Sequence, residues 1–251
     1  MSAPTPKQEV VPEFKDRSFD AAAFAAATLK NWQSLAAVID HTLLKPEATR
    51  EQVVSLCNEA ARYRFACAMV NPVWASTAVG ALSGTGVPVG VVIGFPLGAS
   101  LVSTLHQEAA ALSRLGAREL DMVIPIGLLK SGDNRAVQNT IHTTATVAHH
   151  HGALLKVILE TALLNVEEKL RGSELAILAG ADFIKTSTGF ASSGAPPADV
   201  ALMRGVAGNR CGVKAAGGIR TLADVKALLE AGASRIGASA SVAIVRELGA
   251  E

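Results

Sequence analysis

The chain has 251 residues, with 23 lysines and arginines against 22 aspartates and glutamates, so its formal net charge is +1. That balance excludes a protein held to nucleic acid or to an anionic membrane by bulk charge. At 49% hydrophobic and 18% charged residues the chain can bury a large core and is not of the disordered kind; with 4% aromatics, Ala, Val, Leu and Ile must fill that core.

Residues 1–34 form an N-terminal extension. It opens with the Pro-rich MSAPTPKQEVVPEF, expected to be mobile, which puts proline and acidic residues where a secretion signal places an apolar stretch. SFDAAAFAAATLKNWQSL follows with the Ala and aromatic spacing of a helix. Its pattern admits both a plug at one end of the domain and a helix packed on the outside.

From there strand-like runs follow in order: LAAVID ending at Asp40, FACAMV ending at Val70, VPVGVVIGF ending at Phe95, and ELDMVI from Glu119. LLKVIL from Leu154, FIKTS from Phe183, GVKAAGG from Gly212 and SRIGAS from Ser234 complete the set. They recur about every 28 residues, the length of a strand with its crossover helix. Eight such units over residues 35–251 predict a single (β/α)8 domain, a TIM barrel. An open doubly wound sheet is the alternative, but no GxGxxG opens a first strand-to-helix turn.

The punctuation between strands is helical. Thr49 with Gln52 and Asn165 with Glu168 have capping-box spacing, and Asn71 followed by Pro72 reads as a cap with proline at the first helical position. GVPVG, GARELD, GADFIK and GASRIG each place a glycine ahead of a strand, as when a helix ends in a left-handed residue. Cys57, Cys67 and Cys211 are odd in number and without CxxC pairing, which points away from disulfides and zinc and towards a reducing, cytoplasmic setting. No apolar run approaches the roughly 18 residues of a membrane span.

The chemistry lies in three lysines. Of ten in the chain, Lys156, Lys185 and Lys214 sit inside apolar strand runs. A buried ammonium is costly, and three pointing into one barrel mouth depress each other's pKa. A lysine made neutral in this way attacks carbonyls to form a Schiff base, an electron sink for breaking or making a carbon–carbon bond. Asp121, in ELDMVI, puts a carboxylate in the same interior, either as a proton shuttle or as a plain charge partner.

Two loops form a separate signal. Gly217 and Gly218 follow the seventh strand and run into a helix capped by Thr221, while Gly237 and Ser239 follow the eighth, the places where barrels build phosphate sites from backbone N–H groups. His149, His150 and His151 are adjacent and diverge around a helix, so no metal is predicted.

At FIKTSTGF, KAAGGIRT, IDHTLLKP, VIGFPLGA and ELDMVIPIGLLKSGD the sequence resembles the deoxyribose-phosphate aldolase family, over roughly residues 35 to 248. The resemblance implies a class I aldolase on a (β/α)8 fold that reversibly cleaves 2-deoxy-D-ribose 5-phosphate to acetaldehyde and D-glyceraldehyde 3-phosphate. It implies no cofactor, a cytoplasmic place in deoxyribose phosphate catabolism, and a homodimer whose partners are otherwise small phosphorylated sugars and aldehydes. By motif match, Lys185 resembles the Schiff-base lysine, Lys214 the neighbouring cation that lowers its pKa, Asp121 the proton-relay carboxylate and Lys156 a supporting active-site lysine. Asp40 and Thr42 match positions near the substrate hydroxyls, and Thr188, Gly189, Gly217, Gly218, Gly237 and Ser239 match substrate and phosphate loops. Phe190 stands where many relatives carry a lysine that reaches the phosphate, and Tyr63 is the single tyrosine, so the C-terminal tyrosine of some members is absent or replaced. A Schiff-base aldolase for another phosphorylated sugar, or a non-catalytic phosphometabolite sensor, would keep part of this pattern.

Overall fold

The structure, a computed structural model, describes residues 19–251. The Pro-rich start falls within residues 1–18 and lies outside the described residues. Eight parallel strands close in sequence order: β1 Ile39–Leu43, β2 Cys67–Val70, β3 Val89–Ile93, β4 Glu119–Val123, β5 Leu154–Ile158, β6 Phe183–Lys185, β7 Gly212–Ala216 and β8 Arg235–Ala238. Strand β8 pairs back onto β1, with Gly237 opposite Asp40, so this is the (β/α)8 barrel and not an open sheet.

The first strand departs from its expected bounds. Leu35 and Ala36 end a short helix, α2 Trp32–Ala36, because the Asn31 side chain caps it by accepting from Ser34 N–H at 2.8 Å. Strand β1 therefore starts later and carries both Asp40 and Thr42. Before it, α1 Ala21–Thr28 is capped by Asp20. Between the strands run α3 Arg50–Tyr63, α4 Ala75–Ala81, α5 Val102–Leu115, α6 Ile126–Lys130, α7 Asn134–His150, α8 Val166–Leu178, α9 Pro197–Ala207 and α10 Leu222–Glu230, with α11 Ser241–Glu247 last. Helix α1 packs along α10 and α2 against α11, which ties the described part of the extension to the helical ring.

Reciprocal capping boxes are present at Thr49 with Gln52, Asn165 with Glu168, and Thr221 with Asp224. Asn71 behaves differently. Pro72–Trp74 is a 3-10 turn ahead of α4, and the Asn71 amide donates to the Leu44 carbonyl at 3.1 Å, joining the β2 loop to the β1 loop instead of capping a helix.

Strand alternation decides what the barrel buries. The outward residues Leu120, Met122, Leu155, Val157, Ile184, Val213 and Ile236 are fully buried against the helices in one continuous apolar layer. Each such side chain contributes about 1.5–3 kcal/mol. Among the described residues no helix is long and apolar enough to cross a membrane, and the three cysteines are free and buried.

Candidate active site

The same alternation turns Asp40, Glu119, Asp121, Lys156, Lys185, Lys214 and Arg235 inward, where they form one ion network. Lys156 Nζ meets Asp121 Oδ1 at 3.0 Å, Asp40 Oδ2 at 3.2 Å, and Glu119. Lys214 Nζ meets Asp40 Oδ2 at 2.5 Å and Asp121 Oδ2 at 2.7 Å. Arg235 donates through Nε to Asp40 Oδ1 at 2.6 Å and through Nη2 to Glu119. Lys185 Nζ reaches one carboxylate, Asp121 Oδ2, at 2.7 Å.

Four cations thus face three carboxylates. A buried charge persists only where it is compensated, so the set balances when one amine is neutral. Lys156 has three carboxylate partners, Lys214 and Arg235 two each, and Lys185 one, which makes Lys185 the group that gives up its proton most easily. Burial is the main cause pushing its pKa down to about 8, with Lys214 and Lys156 adding to it against the pull of Asp121. On that value about a tenth of the amines are neutral at pH 7.

Asp121, Asp40 and Lys156 stay charged. Burial opposes the ionised form of Asp121, yet Lys156, Lys185 and Lys214 hold its carboxyl well below the usual carboxylate range. Burial likewise opposes the Asp40 carboxylate, and Lys156, Lys214 and Arg235 outweigh it. Lys156 corrects an expectation. Burial works against its ammonium, but Asp121, Asp40 and Glu119 raise its pKa above the ordinary lysine value, so the three lysines do not all depress one another.

Above the network opens a cavity of about 400 Å³ lined by Lys185, Thr42, Thr188, Gly189, Gly217, Gly218, Gly237 and Ser239, with Lys45, Phe190 and Arg220 at its rim. Asp40, Asp121, Lys156 and Lys214 do not line it; they lie behind Lys185, and both oxygens of Asp40 are engaged by cations. Thr42 Oγ1 donates to the Asp40 carbonyl at 2.8 Å, which leaves its lone pairs free. Gly217 and Gly218 have φ of +94° and +77°, a left-handed pair in which the N–H groups of Gly218 and Ile219 have no partner among the described residues. The next two donors, Arg220 N–H and Thr221 N–H, are taken by Asp224 Oδ2 at 3.0 Å. Gly237 has a different reason to be glycine: a Cβ there would lie 3.0 Å from Lys214 Cε, in the path of that side chain.

Several contributors were not singled out from the sequence. Glu119 lies two residues before Asp121 and Arg235 two before Gly237, so strand periodicity from known inward positions would have found both. Lys45 lines the cavity and is in no ion pair among the described residues. Glu160, just past β5, is buried in a left-handed conformation and accepts from Thr188 N–H at 3.2 Å and from the Thr188 hydroxyl. Phe190 meets Phe95 edge-on, with ring centroids 5.3 Å apart. Among the described residues one set of metal-type ligands converges, Asp40, Cys67 and Glu119, and both carboxylates already hold cations. His149 Nε2 lies 2.8 Å from Asp182 Oδ2 on the helix side of the barrel.

The chain matches the model of the DeoC/LacD family of aldolases over residues 34–247. It is 51% identical over 212 residues to the deoxyribose-phosphate aldolase of Bacillus mycoides strain KBAB4, a match covering 84% of this chain and 95% of that one. It is 50% identical over 212 residues, with the same coverage, to the deoxyribose-phosphate aldolase of Geobacillus sp. strain WCH70. The deoxyribose phosphate aldolase of Aeropyrum pernix, whose structure is described as tetrameric, superposes with a TM-score of 0.84 at 36% identity, covering 91% of this chain and 96% of that one.

Proposed function

The chain belongs to the DeoC/LacD family of aldolases, and on that premise we propose that it is a class I aldolase reversibly cleaving 2-deoxy-D-ribose 5-phosphate to acetaldehyde and D-glyceraldehyde 3-phosphate. The observation that carries the reading is the imbalance inside the barrel, where Lys185, with one carboxylate partner, borders a cavity of about 400 Å³.

The mechanism follows from that arrangement. Neutral Lys185 attacks C1 of the open-chain aldehyde, and loss of water gives a protonated imine. The C3 hydroxyl then loses its proton as the C2–C3 bond breaks, and the electron pair flows into the iminium, leaving glyceraldehyde 3-phosphate and the enamine of acetaldehyde. Asp121, 2.7 Å from both Lys185 and Lys214, relays protons with Lys214 and water, and its charge stabilises the iminium. Protonation of the enamine carbon and hydrolysis release acetaldehyde and restore Lys185. Lys156 holds Asp121 and Asp40 in place from behind. The 5-phosphate sits on the free N–H groups of Gly218 and Ile219, beside Gly189 and Ser239, with Lys45 and Arg220 supplying charge at the rim where Phe190 supplies none. Thr42 meets the substrate hydroxyls, and Asp40 acts on them through the network.

The proposal extends to a cytoplasmic homodimer that needs no metal and no cofactor; three buried free thiols accord with a reducing compartment. Borohydride reduction in the presence of acetaldehyde, followed by peptide mass spectrometry, tests the central step. The expected result is an ethyl adduct on Lys185, lost in Lys185→Leu together with turnover, by a factor on the order of 10⁴ or more. A folded wild-type protein that gives no adduct, or gives it at another lysine, refutes the assignment.

A further inference from the structure

Glu160 has a geometry that the proposed mechanism leaves unused. It follows β5 with φ 57° and ψ 65°, one of two non-glycine residues with positive φ among the described residues. A β-carbon is strained there, and such strain persists where surrounding structure enforces it. The side chain is buried, and its carboxylate is in no ion pair among the described residues. Oε2 accepts from Thr188 N–H at 3.2 Å and from the Thr188 hydroxyl, while the buried Oε1 has no partner.

The consequence falls on Thr188, which lines the cavity. Its hydroxyl has one proton and two lone pairs. The proton goes to Glu160, and one lone pair accepts from Phe190 N–H at 3.0 Å. What remains is an acceptor sharpened by a carboxylate behind it. Thr188 is three residues beyond Lys185 and adjoins Gly189, whose Cα lies 3.6 Å from the place a Gly217 Cβ would occupy. It therefore stands between the amine that takes C1 and the loop that takes the 5-phosphate. A five-carbon chain stretched between those two points brings its C4 hydroxyl alongside.

We propose that Glu160 is a positioning residue that holds the Thr188 hydroxyl as an acceptor, so that the site selects substrates able to donate a hydrogen bond from C4. The inference rests on the aldolase reading above and deepens it. In the synthetic direction the C4 hydroxyl is the 2-hydroxyl of glyceraldehyde 3-phosphate, so 3-oxopropyl phosphate, which lacks it, is the comparison acceptor.

The test measures kcat/KM for both acceptors with acetaldehyde in the wild type, in Glu160→Gly and in Glu160→Gln. Glycine accepts the left-handed backbone without strain, so that variant removes the carboxylate and not the turn. Glutamine keeps an oxygen that accepts from Thr188. The expected result is a wild-type preference for glyceraldehyde 3-phosphate that falls roughly ten-fold in Glu160→Gly, the worth of one hydrogen bond, and is largely restored in Glu160→Gln. Thr188→Val should lose the same preference, with no further loss when combined with Glu160→Gly. Acetaldehyde trapping at Lys185 should survive in both Glu160 variants, which shows that each is folded. Should the glycine variant not fold, Glu160→Asn, which also takes left-handed backbone but is too short to reach, replaces it. Unchanged preference, or equal loss on both acceptors, overturns the role of Glu160. A wild type that traps no acetaldehyde and condenses neither acceptor overturns the aldolase reading and this inference with it.

Discussion

Ile184 and Lys185 are neighbours on β6, yet they meet opposite surroundings. Ile184 turns out into the layer between barrel and helices, fully buried among Leu, Val, Ile and Ala, and that layer needs no more than well-fitting apolar volume. Lys185 turns in, to a space where three carboxylates answer four cations and each group's charge depends on the others. The interior is itself divided: Cys67, Met69 and Val92, with Leu44 and Phe95, make one wall apolar, and the charges gather on the other side. One residue along the strand thus separates stability from chemistry, and the two faces should answer differently to substitution.

The largest effect on stability is expected at the N-terminal end of the interior. Arg235→Met removes the cation from Asp40 and Glu119 without touching the cavity, and breaking a buried pair costs about 3–5 kcal/mol. Urea unfolding should show it as a fall in midpoint at unchanged slope. A loss under about 1 kcal/mol would mean that Lys156 and Lys214 suffice for both carboxylates, and the balance of charges would not be what holds the interior.

A smaller effect should appear in pH dependence. With the Lys185 pKa at about 8, the proposed nucleophile is protonated below that value, so kcat/KM should fall about ten-fold per pH unit on the acid side and level off above it. For stability the sign is also determined: between about 8 and the ordinary lysine value the unfolded chain binds more protons than the native one, so this group makes stability rise with pH across that window. Lys214→Leu removes a cation near Lys185 and leaves Asp121 to fewer partners. Both changes raise the Lys185 pKa, and the acid limb should move up by about one unit or more, worth about 1.4 kcal/mol per unit. A limb that stays in place breaks the electrostatic account while leaving the nucleophile untouched.

The fold was legible because its signals are local and repeated: β-branched runs of period two, caps such as Thr49 with Gln52, and glycines such as Gly116, Gly180 and Gly232 that end helices in the left-handed region. The boundary of β1 was misplaced because the Asn31 cap outweighed the apolar look of Leu35 and Ala36. The lysines were legible as charges inside apolar runs, but sequence could not rank them. Their ranking depends on how many carboxylates each reaches across the barrel, and that is why Lys156 rises while Lys185 falls. Glu160 had no local signal at all: its conformation is one that glutamate rarely adopts, enforced by Thr188 from the next strand's loop.

The smallest effect tests the comparison most directly. Ile184→Val deletes one methylene from the fully buried outer face, one residue from Lys185, and should cost about 0.5–1.5 kcal/mol in unfolding free energy. The substitution leaves each carboxylate and cation in the interior as it was, so the acid limb of kcat/KM should remain near pH 8 and the yield of the Lys185 adduct should be unchanged. If the limb moved with so small a change in volume, the outer layer would be setting the position of Lys185 against Asp121. A shift of a few tenths of an ångström in that 2.7 Å contact alters both the Coulomb attraction and the hydrogen bond, so the pH limb is a sensitive gauge of whether β6 passes packing strain from one face to the other. An unmoved limb would establish that packing on the outer face of β6 does not reach the contact between Lys185 and Asp121.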